Sequence, residues 1–249
     1  FTQEERLHNV RLMFLKYLEL NSLTGKTEAD QSQKSRIYGE LTKILAGMGK
    51  SQEEDFYQIY RTFNGEGVTS RLLDAPLHEF LPREEEDLQK VETDLQIDRT
   101  TLKQRLKKFQ EENPMLGFRS VRMGIVFPEI YKTQVRAMLR AAGRLLDEGK
   151  DPRVEIEIPL VSEIKEIEIV KMMVEEVAAE VAQERGGKVV PYKLGIMVET
   201  PSAALQGVAV AKVLGPKGFV SFGTNDLTQL TKGLSRDDAE FFLQLYAEL

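Results

Sequence analysis

From Pro128 onward the chain alternates strand-sized apolar runs with amphipathic helical stretches, and that alternation confines it to a parallel sheet covered by helices. A helix is expected over about Glu129 to Leu146, ending at Gly149, followed by a strand from Val154 to Val161. Ser162 is placed to cap the next helix, which stops at Gly186-Gly187 and carries Ile167, Val170, Val174, Val177 and Val181 on one stripe. The pattern continues with a strand at Leu194–Val198, a helix over Ala203–Leu214, a strand at Phe219–Phe222 and a helix after Asn225. Met172-Met173 reads as helix packing.

The first part of the chain is different. Gln3 to about Thr62 is helical in pattern, interrupted by polar Thr24–Lys34. Turn chemistry at Asn64–Gly67 then leads into a short strand, Val68–Leu73, stopped at Asp74-Ala75-Pro76. Pro82 to Glu112 is highly charged, and the spacing of Leu88, Val91, Leu95, Leu102 and Leu106 predicts a solvated helical pair.

Composition removes several function classes. With 249 residues, 41% of them hydrophobic, the chain has material for a large core. A net charge of −6 opposes a nucleic-acid or anionic-membrane surface, while leaving room for small anions bound by a few local arginines. There is no cysteine, so disulfides, thiolate metal sites and a cysteine nucleophile are excluded within these residues. No run is long and apolar enough for a membrane span and no secretory leader is read; a cytosolic setting is expected, with a plastid or other organelle left open.

In a parallel barrel the functional groups gather where strands end. The polar strand endings here are Arg71 with Asp74, Glu199, and Gly223-Thr224-Asn225-Asp226. Glu199 emerges from a buried strand just before Thr200-Pro201, where proline forbids a further ladder bond. Asp226 ends the neighbouring expected strand, about 5 Å away. Two such carboxylates repel unless a cation lies between them, and Mg²⁺ suits one or two carboxylates completed by water and substrate oxygens. Each acid has an alternative use as a helix cap. Arg71 and Arg119 offer planar donor forks for phosphate or carboxylate, or serve as salt-bridge partners; Arg71, inside an apolar strand, needs a partner such as Asp74 or a ligand. Gly223, Thr224 and Asn225 open a helix whose N–H groups suit an anion. His78 follows the Arg71 strand as a structural hydrogen-bonder, a base or a metal ligand, and His8 sits on a charged, solvated helix.

These strand ends resemble a known family. Arg71 to Pro82 is similar to the RLLDPPLHEFLP stretch of the pyruvate, phosphate dikinase family, with Ala75 in place of the first proline. Asn113–Arg119 resembles its NPMLGxR, Val154–Val161 its strand ending in PLV, Gly195–Pro201 its GxMxExP, and Ser221–Asp238 its SFGTNDLTQxTxGxSRDD. The resemblance implies an α/β fold: an incomplete (β/α)₈ TIM-type barrel, about four of its eight strands, with a helical N-terminal segment and a helical insertion. It implies one partial phosphoenolpyruvate/pyruvate-binding domain over residues 1–249, with a helical lead-in over 1–66, the excursion at 82–112 and alternating elements over 113–249.

By the same resemblance Arg71 grips phosphate and Arg119 binds substrate. Glu199 and Asp226 hold Mg²⁺, and Gly223, Thr224, Asn225 and Asp226 line the substrate. In the family, phosphoenolpyruvate passes its phosphoryl group to a histidine on a separate domain, and a further domain exchanges it with ATP and phosphate. The overall conversion is ATP, pyruvate and phosphate to AMP, phosphoenolpyruvate and diphosphate, in a homodimer. This chain departs from the pattern. It begins after the place of the family's GLCRTEHMF strand and stops before the segment with its cysteine, so it is not expected to complete the reaction alone. Glu157 replaces an apolar residue, and Ser202 stands where dikinases often carry arginine, as in the related phosphoenolpyruvate synthases. A related phosphoenolpyruvate synthase is the alternative within the same class, and an inactive truncated barrel acting as an interaction or regulatory module is the alternative from another class.

Overall fold

The computed structural model describes residues 4–23, 27–74, 81–82, 84–107, 116–235 and 239–247. Two helices open it, α1 (Glu4–Ser22) and the long α2 (Glu28–Thr62), whose N-terminus is capped by the Thr27 hydroxyl accepting from the Asp30 amide at 3.1 Å. Strand β1 (Gly67–Arg71) follows, then α3 (Glu85–Leu95), α4 (Arg99–Lys107), α5 (Ser120–Val126) and α6 (Pro128–Asp147). The remainder is β2 (Arg153–Ile158), α7 (Ile164–Glu184), β3 (Tyr192–Val198), α8 (Pro201–Leu205), α9 (Gly207–Leu214), β4 (Phe219–Phe222), α10 (Thr224–Lys232) and α11 (Glu240–Ala247).

The four strands form one parallel sheet in the order β1-β2-β3-β4, a half-barrel of the TIM type. Side-chain alternation gives its two faces opposite characters. Val154, Ile156 and Ile158 of β2 and Leu194, Ile196 and Val198 of β3 point into the helical layer and are buried. The opposite face carries Thr69, Glu155 and Lys193 in register, joined by hydrogen bonds of 2.7 Å (Thr69 to Glu155) and 2.9 Å (Lys193 to Glu155). The stripe Ile167, Val170, Val174, Val177 and Val181 is buried on α7 as its spacing predicts, each side chain contributing about 1.5–3 kcal/mol of transfer free energy. Outside this core α6 and α7 are joined by a ladder of ion pairs, Lys132–Glu176 (2.8 Å), Arg136–Glu180 (2.6 Å) and Arg140–Glu184 (2.5 Å). The rungs advance four residues at a time on both helices, which keeps them on one exposed seam.

Several boundaries differ from the pattern, each for a local reason. β2 ends at Ile158 because Pro159 has no N–H for the ladder and Leu160 turns left-handed (φ 51°). β1 ends at Arg71: its outward residues are exposed, so Arg71 does not sit inside an apolar strand, and Leu72 makes one last bond to the Glu157 carbonyl (2.9 Å). Ser162 is not the cap of α7. The cap residue is Glu163, because the Glu166 carboxylate reaches back to accept from both Ser162 N–H (2.7 Å) and Glu163 N–H (3.0 Å). The single helix expected over Ala203–Leu214 is two, divided at Gln206, whose side-chain amide donates to the Ser162 carbonyl (3.2 Å). α10 begins at Thr224, so Asp226 lies in a helix rather than at a strand end. α5 has seven residues, too few to show a stripe in sequence.

The charged pair α3 and α4 is not merely solvated: Val91, Leu95 and Leu102 are buried, and Arg11–Asp87 (2.5 Å) ties α1 to α3. His8 is likewise not free in solvent but pairs with Asp94 at 2.6 Å. Met172 faces solvent instead of packing. His78 lies outside the described residues, as do Ala75–Phe80, Asn113–Met115 and Arg236–Asp238. Among the described residues no helix is long and apolar enough to cross a membrane.

If the apolar face of the sheet is buried under the helices as described, Ile156→Ala lowers the unfolding free energy by about 2–5 kcal/mol in urea titration. Val208→Ala, at a side chain 74% exposed, changes it by less than about 0.5 kcal/mol. Equal effects from the two substitutions would contradict the layer assignment.

Candidate functional site

The C-terminal ends of β1, β3 and β4 converge on one charged cluster, and Asp74 is its centre. This carboxylate, buried just past β1, accepts from the Arg119 guanidinium with both oxygens (3.0 and 3.1 Å), from Arg71 at 2.8 Å, and from the Ser120 hydroxyl in a very short contact. Arg119 Nε also donates to the Asp74 carbonyl at 3.3 Å. A buried carboxylate is tolerated when its lone pairs are filled in this way. Asp74 therefore orients two guanidiniums at once.

Arg71 is 46% exposed and directs part of its fork to solvent. Arg119 is 4% exposed at the N-cap position of α5, and its other terminal nitrogen reaches Asp226 at 3.4 Å, a long contact. Burial by itself opposes its charge, but Asp74, Asp226 and Glu199 together hold it above its ordinary pKa. The adjoining Ser120 is fully buried with φ 56°, a left-handed conformation costing a non-glycine residue roughly 1–3 kcal/mol. That conformation sends its hydroxyl to Asp74.

Glu199 leaves β3 on the same side. It is 1% exposed, and one carboxylate oxygen accepts from the Leu160 N–H at 2.6 Å. Its pKa is pushed up to about 7, chiefly by burial; the Leu160 hydrogen bond opposes the shift, and Asp74 and Asp226 add to it. The left-handed turn at Leu160 is what aims that amide. Gly223 gives the other oxygen its space, since a Cβ there would lie 2.4 Å from it, and the Gly223 N–H continues the sheet by donating to the Val198 carbonyl at 3.0 Å.

The structure thus brings Arg71, Arg119, Glu199, Gly223 and Asp226 together. Thr224 and Asn225 occupy the exposed first turn of α10, at its electropositive end. Sequence reasoning treated Asp74 only as a partner for Arg71 and missed its hold on Arg119; the one available signal was an acid between two arginine-bearing loops. Ser120 and the Leu160 amide gave no signal, because left-handed backbone at a serine or leucine is a tertiary outcome. Glu157, the departure on β2, is 3% exposed and one of its carboxylate oxygens has no hydrogen-bond partner among the described residues.

The donor set bears on Mg²⁺. Among the described residues no group of three or more histidines or acids forms a ready-made cage. Magnesium needs less: one or two carboxylates, with water and ligand oxygens completing six positions. Glu199 and Asp226 supply hard oxygen donors at the ends of neighbouring strand units, and burial, the chief cause of the raised Glu199 carboxyl, is a cost that a bound cation would offset. The residues present fit the ion.

Residues 11–249 match the family described as PEP-utilising enzyme, PEP-binding domain. Similar curated proteins include pyruvate, phosphate dikinase of Giardia intestinalis, 44% identical over 197 residues, covering 79% of this chain and 22% of that protein. Pyruvate, phosphate dikinase of Rhizobium meliloti (strain 1021) is 44% identical over 205 residues, covering 82% of this chain and 22% of its own. The chloroplastic pyruvate, phosphate dikinase of Flaveria pringlei is 44% identical over 199 residues, covering 78% and 20%. The chain thus spans about a fifth of the length of these relatives.

Because the folded-state pKa of Glu199 is raised from 4.5 to about 7, the fold favours its neutral form: the stability this contributes is complete below pH 4.5 and is lost as pH rises through 7. With EDTA present, Glu199→Gln is expected to match the parent near pH 4 and to be more stable at pH 8.5, by up to about 3 kcal/mol in urea titration. A variant destabilised equally at both pH values would refute a strained, ionised Glu199.

Proposed function

Since the chain belongs to the PEP-binding domain family of PEP-utilising enzymes, we propose that it is the phosphoenolpyruvate- and pyruvate-binding part of a pyruvate, phosphate dikinase. The observation that carries the reading is the Asp74-centred pair of guanidiniums set against the Glu199 and Asp226 carboxylates. Cations on one side suit phosphoryl and carboxylate oxygens, and acids on the other suit a divalent ion shared with the ligand.

In this reading Arg71, the more exposed guanidinium, meets the phosphoryl group. Arg119 is fixed, with its fork committed to Asp74 and Asp226, and acts as a buried positive wall behind the ligand. The first-turn amides of α10 at Thr224 and Asn225 face further anionic oxygens. Glu199 and Asp226 hold Mg²⁺, which when bound neutralises phosphoryl and enolate charge. Two guanidiniums against three acids leave no net positive charge, so anion binding requires the metal. Transfer to a phosphohistidine and exchange with ATP and phosphate belong to other domains of a longer, homodimeric protein.

A second reading, an inactive interaction module, draws on the exposed apolar side chains Leu205, Val208, Val220 and Phe222 beside β4.

Isothermal titration of phosphoenolpyruvate into the chain separates the two. Binding is expected only with Mg²⁺, and Asp226→Ala should weaken it by at least about tenfold, the loss of one ligand contact. A folded chain that takes up no phosphoenolpyruvate at any Mg²⁺ concentration would sink the first reading and favour the second.

A further inference from the structure

We infer that Tyr131 and Gln134, on α6 and outside the charged cluster, are positioning residues that hold the segment carrying Arg71 and Asp74. For ligand binding the inference rests on the function proposed above. After Leu72 donates to the Glu157 carbonyl, no further strand-to-strand bond continues β1 among the described residues. Side chains of α6 take over. The Leu73 N–H donates to Gln134 Oε1 at 3.0 Å, Gln134 Nε2 donates to the Arg71 carbonyl at 3.1 Å, and the Tyr131 hydroxyl donates to the Leu73 carbonyl at 3.1 Å. One glutamine amide thus brackets the residues on either side of Leu72, and the tyrosine closes the bracket.

Packing alone does not fix this segment. A cavity of about 340 Å³ adjoins it, lined also by Met13, Leu45, Met48 and Ile130, so the segment is not packed on every side. The three hydrogen bonds from α6 oppose displacement of the segment from the helix side, together with the grip of Arg119 and Ser120 on Asp74.

Tyr131 also touches the second arginine-bearing segment. Its ring packs against α5 at Gly124, where an added Cβ would be 2.2 Å from the ring, and Arg119 is the N-cap residue of that same helix. The ring therefore spaces α5 while the hydroxyl holds β1, and Asp74 joins the two guanidiniums across the gap. Relative placement of Arg71 and Arg119 is set from α6.

Two nearly isosteric variants test this, Tyr131→Phe and Gln134→Met. Hydrogen exchange is followed at residues 72–74 and, as reference, within β3; phosphoenolpyruvate affinity is measured with Mg²⁺ on samples shown by urea titration to be fully folded. The expected result is exchange at Leu73 at least about tenfold faster with β3 unchanged, and affinity about tenfold weaker. A purely structural role moves the urea midpoint and leaves the affinity of the folded protein alone. Unchanged exchange at Leu73 overturns the inference, as does parental affinity despite faster exchange. If the parent chain itself binds no phosphoenolpyruvate, the proposed function falls, and the exchange measurement, which needs no ligand, decides the positioning role by itself.

Discussion

A carboxylate buried between two guanidiniums is the constraint from which the rest of the site follows. Asp74 is stable in its position because Arg71, Arg119 and Ser120 fill its acceptor sites, and Arg119 tolerates burial chiefly because of Asp74, with Asp226 and Glu199 adding to its hold. Removing either partner leaves an uncompensated charge, so two segments 45 residues apart in sequence must meet for either to be placed. Ser120 accepts a left-handed backbone to complete the set.

The helical layer serves this cluster as well as the core. α6 buries an apolar face under β2, carries the cationic half of the ladder to α7, and turns Tyr131 and Gln134 onto the end of β1. Because these roles lie on different faces of one rigid element, the position of the sheet and the position of the strand-end charges are not independent.

A comparable tie fixes the other side of the site. The loop after β2 is held to the turn after β3 by four side chains: Glu199 accepts from the Leu160 N–H, Thr200 donates to the Val161 carbonyl (2.6 Å), and Ser202 (2.6 Å) and Gln206 (3.2 Å) donate to the Ser162 carbonyl. The short Ser202 hydroxyl is used within this tie. The break between α8 and α9 falls at Gln206, where the tie ends.

The order of strands and helices, the α7 stripe and the residue types at the strand ends were legible in the sequence, because periodicity and strand-end chemistry depend on near neighbours along the chain. So was the identity of the acids and arginines that cluster. Where Asp74 directs its lone pairs, why Leu160 and Ser120 turn left-handed, that Asp226 belongs to a helix, and that His8 and α3 dock on their neighbours were decided only in three dimensions. Hydrogen bonds between residues 39 to 107 positions apart settle those choices, and a linear pattern carries no record of which distant donor will fill a buried acceptor.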